Sequence, residues 1–221
     1  MYSLILKDIL IQKKMIWFAI GYSVFILFSF NSPAFADAAY IMGAMMSSYL
    51  FIMGACAYEG KGNGEMILNS FPLRRKDVVR SRYISIFVFM FFSLAVIGAL
   101  GAIMKSIGLP YPQNYISMSD VMGVVASLLI VSAIYLPFYY KFGYIRARVF
   151  NMIMFLIFFF VPTYLVNYIK ENSEKEIVIQ LANILQTMPV WQIVFLGIIL
   201  MLTLMFISYL ISLSVYKKRD F

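Results

Sequence analysis

The residue types that usually carry chemistry are scarce in this chain. It contains no His, and its single Cys, Cys56, lies inside an apolar run. These counts exclude disulfides within the chain, His-containing metal sites and His proton relays. The five Asp residues all fall in or beside segments that read as loops, and without His a Ser nucleophile lacks its usual base. We therefore predict that this chain is not an enzyme and holds no cofactor of its own.

One glycine-rich stretch invites comparison with nucleotide-binding loops. Residues 60–65 read Gly-Lys-Gly-Asn-Gly-Glu. The phosphate-binding loop of ATPases needs two glycines separated by four residues and followed directly by Lys and Ser or Thr, a pattern that this stretch does not match. The stretch therefore predicts a flexible entry to the segment that follows, and any ATP hydrolysis has to occur on another protein.

Composition indicates that lipid is the solvent of this chain. Hydrophobic residues make up 63% of the 221 residues and charged ones 13%, whereas a soluble domain carries roughly a quarter charged residues. Several uncharged stretches reach about twenty residues, the length that a helix needs to cross a bilayer. We predict an all-α polytopic membrane protein, a single domain over residues 1–221 with six transmembrane helices. The predicted spans are 15–30, 38–58, 83–104, 121–140, 149–169 and 191–216.

The basic residues predict the orientation of these spans. Fifteen of the eighteen Lys and Arg residues fall in the N-terminal segment, the connections after spans two and four, and the C-terminal tail. Because positive loops stay in the cytoplasm, both termini are predicted to be cytoplasmic. This distribution in short loops also argues against a nucleic-acid partner. No span contains Asp, Glu, Lys or Arg, so the chain lacks the intramembrane charges with which ion-driven transporters bind their driving ion.

Three segments outside the spans are amphipathic. The N-terminal residues alternate apolar and charged side chains and predict an interfacial helix, for which anchoring in lipid is the simpler interpretation. Residues 170–190 predict an outer amphipathic segment that either lies at the interface or re-enters the membrane. Residues 59–82 predict a cytoplasmic elbow of two short helices broken at Pro72, the second running directly into span three.

The elbow carries a family resemblance. Residues 65–83 read EMILNSFPLRRKDVVRSRY, which resembles the coupling segment of small bacterial ABC-2 type permeases. That segment contains Leu-Pro, then Ser or Thr, Arg, an acidic residue, two aliphatic residues and a basic-aromatic entry to the third span. Two positions differ, because Phe71 replaces the Leu and Arg74 stands where Ser or Thr would cap the second helix.

The resemblance implies the permease subunit of an ABC exporter in the bacterial plasma membrane. Such a subunit pairs with a second copy or a paralogue, and a separate ATPase binds ATP and Mg²⁺. The membrane subunits of exporters for phenol-soluble modulins look similar, which implies hydrophobic or amphipathic substrates, most simply peptides. The residues that would contact the ATPase are Glu65, Met66, Ile67, Leu68, Phe71, Pro72, Leu73, Arg74 and Arg75. Lipid head groups are the alternative partner of this elbow.

The resemblance also assigns the transport pathway to spans two and five. These spans present adaptable or polar side chains, at Met42, Met45, Met46, Tyr49, Asn151, Phe155, Thr163 and Asn167. Flexible Met side chains suit varied amphipathic ligands, although ordinary helix packing explains the same residues. Two other functions stay open: a membrane scaffold or immunity-type protein whose elbow binds a cytoplasmic partner without transport, and a channel without a motor. The sequence also leaves open a homodimer against a heterodimer, and export against import.

Overall fold

A computed structural model describes residues 2–29, 36–60, 74–107, 115–171 and 189–218, without the side chains of residues 2, 14, 36–38, 155–171 and 190. All regular secondary structure in these ranges is helical. The helices are α1 (Tyr2–Ile11), α2 (Lys13–Ser29), α3 (Ala36–Gly60), α4 (Arg75–Ser106), α5 (Met118–Glu171) and α6 (Val190–Lys217). They include every predicted span apart from residue 30, and α4 begins at Arg75, which confirms that the second elbow helix continues into span three.

Four of the described helical stretches are long and apolar enough to cross a membrane, namely Ala39–Gly60, Arg75–Ser106, Met118–Met154 and Trp191–Lys217. A fifth is obtained if α1 and α2, which meet at a 62° bend, form one broken span. The multi-pass helical membrane fold is therefore supported. Two predicted spans are not among the four: span one corresponds to α2, which has 17 residues, and most of span five lies beyond Met154, outside the residues whose side chains are described. The number of spans therefore stays a prediction.

Helix α5 reverses direction at Gly143. This residue has φ 76° and ψ 174°, a backbone conformation that side chains other than glycine rarely adopt. On either side of it, the rings of Phe138 and Phe150 stack with centroids 3.8 Å apart. Helix α5 thus consists of two helices folded against each other, in agreement with a predicted connection after span four.

Helix α3 packs antiparallel to both α2 and α4. Ser23 of α2 faces Ser47 of α3 at 3.4 Å between hydroxyl oxygens, and the rings of Phe51 in α3 and Phe89 in α4 stack at 5.5 Å. Gly43 lies directly against α4, because a Cβ there would require the Ile97 side chain of α4 to shift. Helix α3 is central: 67% of its apolar 18-residue stretch is buried in the protein, against 11% for the equivalent stretch of α6.

These pairings bring five chain segments to one end of the bundle. We call this the charged end, and it comprises α1, the end of α3, the start of α4, the Gly143 turn and the end of α6. The opposite end includes a local polar pair at the start of α5. There Ser117 Oγ accepts from the Asp120 backbone N–H at 3.2 Å while the Asp120 carboxylate accepts from the Ser117 N–H at 2.8 Å, which is the reciprocal capping arrangement of a helix start.

Candidate functional site

The coupling residues predicted from sequence fall into two groups. Glu65, Met66, Ile67, Leu68, Phe71, Pro72 and Leu73 lie outside the described residues. Arg74 and Arg75 are described and mark where the chain enters α4. Arg74 is exposed, adopts an extended conformation with φ −74° and ψ 132°, and makes no side-chain cap bond. The helix therefore starts without the side-chain cap that a Ser or Thr at this position would supply.

Arg75 binds the end of another helix. Its Nη1 donates to the carbonyl oxygen of Lys217 at 2.7 Å and to that of Tyr216 at 3.3 Å. These are among the last carbonyls of α6, which have no partner within their own helix and carry the negative end of the helix dipole. Arg75 is half-buried. It therefore ties the start of α4, where the predicted coupling segment ends, to the C-terminal end of α6.

Four charged side chains meet where α1, α3 and α4 converge at the charged end. We call Lys7, Asp8, Glu59 and Arg82 the ionic quartet. Arg82 Nη2 lies 2.5 Å from Glu59 Oε2, and its Nη1 lies 3.0 Å from Asp8 Oδ2. Lys7 Nζ lies 2.6 Å from Glu59 Oε1 and 3.6 Å from Asp8 Oδ1. Two cations and two anions alternate, so the formal charge of the quartet is zero.

Three members of the quartet are buried, so their charges have to be paired within the protein. Arg82 and Asp8 are each 3% exposed and Glu59 is 8% exposed, while the Lys7 side chain is 30% exposed. A buried charge is stable only when it is paired and its remaining hydrogen-bonding positions are satisfied. Ser85 Oγ donates to Asp8 at 3.0 Å, and the Tyr139 hydroxyl of α5 donates to Glu59 at 3.4 Å. The quartet therefore connects four helices.

Helical spacing directs α1 toward this site. Leu4, Asp8 and Gln12 are four residues apart, so they share one face, and all three are buried. The Gln12 side-chain N–H donates to the Phe51 carbonyl of α3. The opposite side exposes apolar side chains such as Leu10. The predicted interfacial helix thus has a protein-binding face in addition to a face suited to lipid.

Two members of the quartet lie on either side of the predicted coupling segment. Glu59 is next to the last residue of α3, and Arg82 lies two turns into α4. Their ion pair therefore joins the two helices between which residues 61–73 run. The sequence analysis counted Lys7 and Arg82 as orientation signals, placed Asp8 in the interfacial helix and Glu59 at the start of the elbow, and did not predict that the four charges pair.

The predicted pathway residues are brought together only in part. Met42, Met45 and Met46 are half-buried on α3, and Tyr49 is buried with its ring edge-on to Tyr135 at 5.8 Å. Asn151 Nδ2 lies 2.7 Å from Met53 Sδ of α3, so the predicted second and fifth spans are neighbours here. The side chains of Phe155, Thr163 and Asn167 lie outside the described residues.

The described part of the chain offers no metal site. It contains no group of three or more His, Cys, Asp or Glu side chains arranged to hold an ion. The quartet has two carboxylates, and both are already engaged by cations of the protein. Its chemistry is that of a structural junction rather than of catalysis.

Comparison with known proteins identifies the family. A sequence model described as ABC-2 family transporter protein matches residues 3–217. No curated protein and no solved structure matches. The match extends over nearly the whole chain, including all six helices, the quartet and the segment predicted to contact an ATPase. The chain therefore belongs to the ABC-2 family of transporter proteins, as a membrane permease component of an ABC transporter.

Proposed function

We propose that this permease component exports hydrophobic or amphipathic substrates, most simply peptides, from a bacterial cell. In this proposal residues 65–75 dock on a separate ATPase, and the ionic quartet passes the resulting displacement into the helix bundle. Both chain termini and the charged end face the cytoplasm, and a second permease subunit completes the transporter.

The observation that carries the proposal is the position of the quartet. Arg82 and Glu59 hold the two helices that flank the coupling segment, Asp8 adds α1, and Tyr139 adds α5. An ATPase that moves the segment between these helices therefore acts on four helices at once. A loop that only rests on lipid head groups has no need of a buried ionic junction at its base.

The substrate class is supported by the interior of the bundle. The described spans contain a central α3 with half-buried Met45 and Met46, and Asn151 of α5 reaches Met53. Thioether side chains repack readily around different apolar surfaces. This face suits a substrate with variable apolar groups and a few hydrogen-bonding groups, as an amphipathic peptide has.

The decisive experiment measures the ATPase retained per permease after purification from membranes. Phe71→Asp places a charge in the apolar part of the docking segment, where desolvation without a partner costs several kcal/mol. We expect this variant to reach the membrane at the parent level, lose the ATPase and stop transporting. Arg74→Ala is the matched control, because Arg74 is exposed and exposed charges contribute little. Equal retention by Phe71→Asp and the parent would overturn the proposal.

Orientation is tested separately by cysteine labelling. Cys56 is the single Cys of the chain and is fully buried. In a Cys56→Ser background an introduced cysteine is therefore the only thiol that can react. Asn172→Cys should react with a membrane-impermeant reagent in intact cells, and Asn63→Cys should react only after the cells are opened. The reverse pattern would place the charged end outside.

A further inference from the structure

Pro137 interrupts the hydrogen bonding of α5. A proline in a helix has no N–H to donate to the carbonyl four residues earlier, which here is that of Ala133. That carbonyl is nevertheless bonded. Ser208 of α6 donates its hydroxyl to the Ala133 oxygen at 2.7 Å. A side chain from a neighbouring helix thus replaces the backbone donor that proline lacks, a compensation available to proline in membrane helices.

The hydroxyl of Ser208 belongs to a chain of three hydrogen bonds. Tyr83 of α4 lies 2.7 Å from Ser208 Oγ and 2.9 Å from Ser212 Oγ. The carbonyl of Ala133 can only accept a hydrogen bond, so the single hydroxyl proton of Ser208 is donated to it. Tyr83 must then donate to Ser208, and Ser212 must donate to Tyr83. The direction of the whole chain is therefore set by the carbonyl beside the proline.

This chain is shielded from water. Tyr83 is 7% exposed, Ser208 3% and Ser212 0%, and the Tyr83 ring packs edge-on against Tyr209 at 5.5 Å. In apolar surroundings a carbonyl without a donor is costly, because no solvent replaces the missing bond. Aligned hydrogen bonds in a low-dielectric environment also polarise one another. Ala133 therefore depends on Ser208, and Ser208 is oriented by Tyr83.

We infer that Tyr83 and Ser208 are positioning residues that set the geometry of the proline break in α5. Through them, a movement at the start of α4 is passed to α5 at Pro137. Tyr83 directly follows Arg82 of the quartet. On the other side of the break, Tyr139 binds Glu59 of the same quartet. The break at Pro137 thus lies between two attachments to the charged end, one through α4 and α6 and one through α5 itself. Its role in transport rests on the function proposed above.

The carbonyl link is tested by a double-mutant cycle on unfolding of the purified chain in mixed detergent micelles. Ser208→Ala should lower the folding equilibrium constant about threefold, the average effect of interhelical hydrogen bonds in such cycles. Pro137→Ala supplies the missing N–H, so Ser208→Ala should cost much less in that background. Ser208→Thr, which keeps a hydroxyl, should behave like the parent. An equal loss from Ser208→Ala with Pro137 or with Ala at this position would overturn the link.

Ser212→Ala serves as the matched control. It removes the far end of the chain but leaves the Ala133 carbonyl bonded, so its effect should be the same whether residue 137 is Pro or Ala. The Ser212→Ala effect could instead vanish in the Pro137→Ala background, as the Ser208→Ala effect should. That result would show a general loss of packing and overturn the specific role of Ser208.

Tyr83→Phe tests the connection to α4. It keeps the ring and removes both hydrogen bonds, so we expect normal retention of the ATPase but less transport per ATP hydrolysed. Unchanged transport per ATP would overturn the connection. The two proposals can fail separately. A parent chain that retains no ATPase would count against the proposed function, whereas the unfolding cycle needs no ATPase and still tests the hydrogen bond from Ser208 to the Ala133 carbonyl.

Discussion

The two ends of the bundle stabilise their polar groups in different ways. At the charged end, Arg82 pairs with Asp8 across 74 residues of sequence, and Lys7 pairs with Glu59 across 52. At the opposite end, Ser117 and Asp120 are three residues apart, and Lys105 lies over the Tyr115 ring at 3.9 Å. Long-range pairing makes several helices move together, whereas local caps stabilise each helix by itself. The charged end therefore joins helices that are far apart in sequence, as the function proposed above requires.

The largest effect is expected at the centre of the quartet. Arg82→Gln leaves Asp8 and Glu59 buried without their main cation, and removing one partner of a buried ion pair costs about 3–5 kcal/mol. Arg80→Gln is the matched control, since Arg80 lies two residues away and is exposed. We expect a marked fall in the thermal midpoint and in transport for Arg82→Gln alone. Similar behaviour of the two variants would remove the contrast between the two ends.

Asp8→Asn tests the charged end more selectively, because it weakens only the ionic attachment of α1 to α4. The amide keeps the shape of the carboxylate but loses one charge-assisted contact with Arg82, which costs about 1–3 kcal/mol. Because Arg82 keeps Glu59, the bundle should remain folded. Protease protection of the N-terminal helix is the measurement, and we expect faster cleavage than in the parent. Unchanged protection would mean that apolar contacts such as those of Leu4 hold α1 without the ion pair.

The opposite end should respond in stability only. Ser117→Ala removes a helix cap, a loss of about 1 kcal/mol. Ser106→Ala is its control, because Ser106 is exposed at the same end and its hydroxyl donates to the Ile103 carbonyl of its own helix. We expect a small drop in the thermal midpoint for Ser117→Ala and unchanged transport per ATP hydrolysed for both. Loss of transport without loss of stability in Ser117→Ala would show that this end also transmits force.

The smallest effect is expected at Lys7. Its side chain is 30% exposed, and exposed or partly exposed ion pairs contribute about 0–1 kcal/mol. Lys7→Gln should therefore change the thermal midpoint little, and the remaining difference from the parent should shrink as salt is added. A loss as large as that of Arg82→Gln would mean that all four charges act as one unit.

The sequence predicted the helices well and the ionic quartet not at all. Uncharged runs and flanking basic residues define a membrane helix locally, so α2, α3, α4 and α6 follow the predicted spans closely. Arg80 and Arg82 look alike in such reasoning, because both count as positive charges beside a span. The helical phase separates them: Val78, Val79 and Arg82 share the buried face, and Arg80 lies on the exposed one.

Other features of the site depend on distant partners and were therefore out of reach. The pairing of Asp8 with Arg82 and the contact of Arg75 with the end of α6 join segments 74 and 142 residues apart. Nothing within a short window selects these partners from the other charges of the chain. The reversal at Gly143 was predicted as a connection from its basic residues, but the positive φ that makes it a turn was not.

The separation between Asp8 and Arg82 also has a consequence for the biogenesis of the protein. At about 5–20 residues per second, a ribosome needs about 4–15 s to synthesise the 74 residues that separate them. Until then Asp8 has no guanidinium partner, and α1 cannot complete its attachment to α3 and α4. The N-terminal helix, although made first, therefore completes its attachment only after Arg82 of α4 has been synthesised. A nascent chain that ends before Arg82 should leave its N-terminal helix more open to added protease than a longer one. Protection of that helix therefore reports when α1, α3 and α4 have come together.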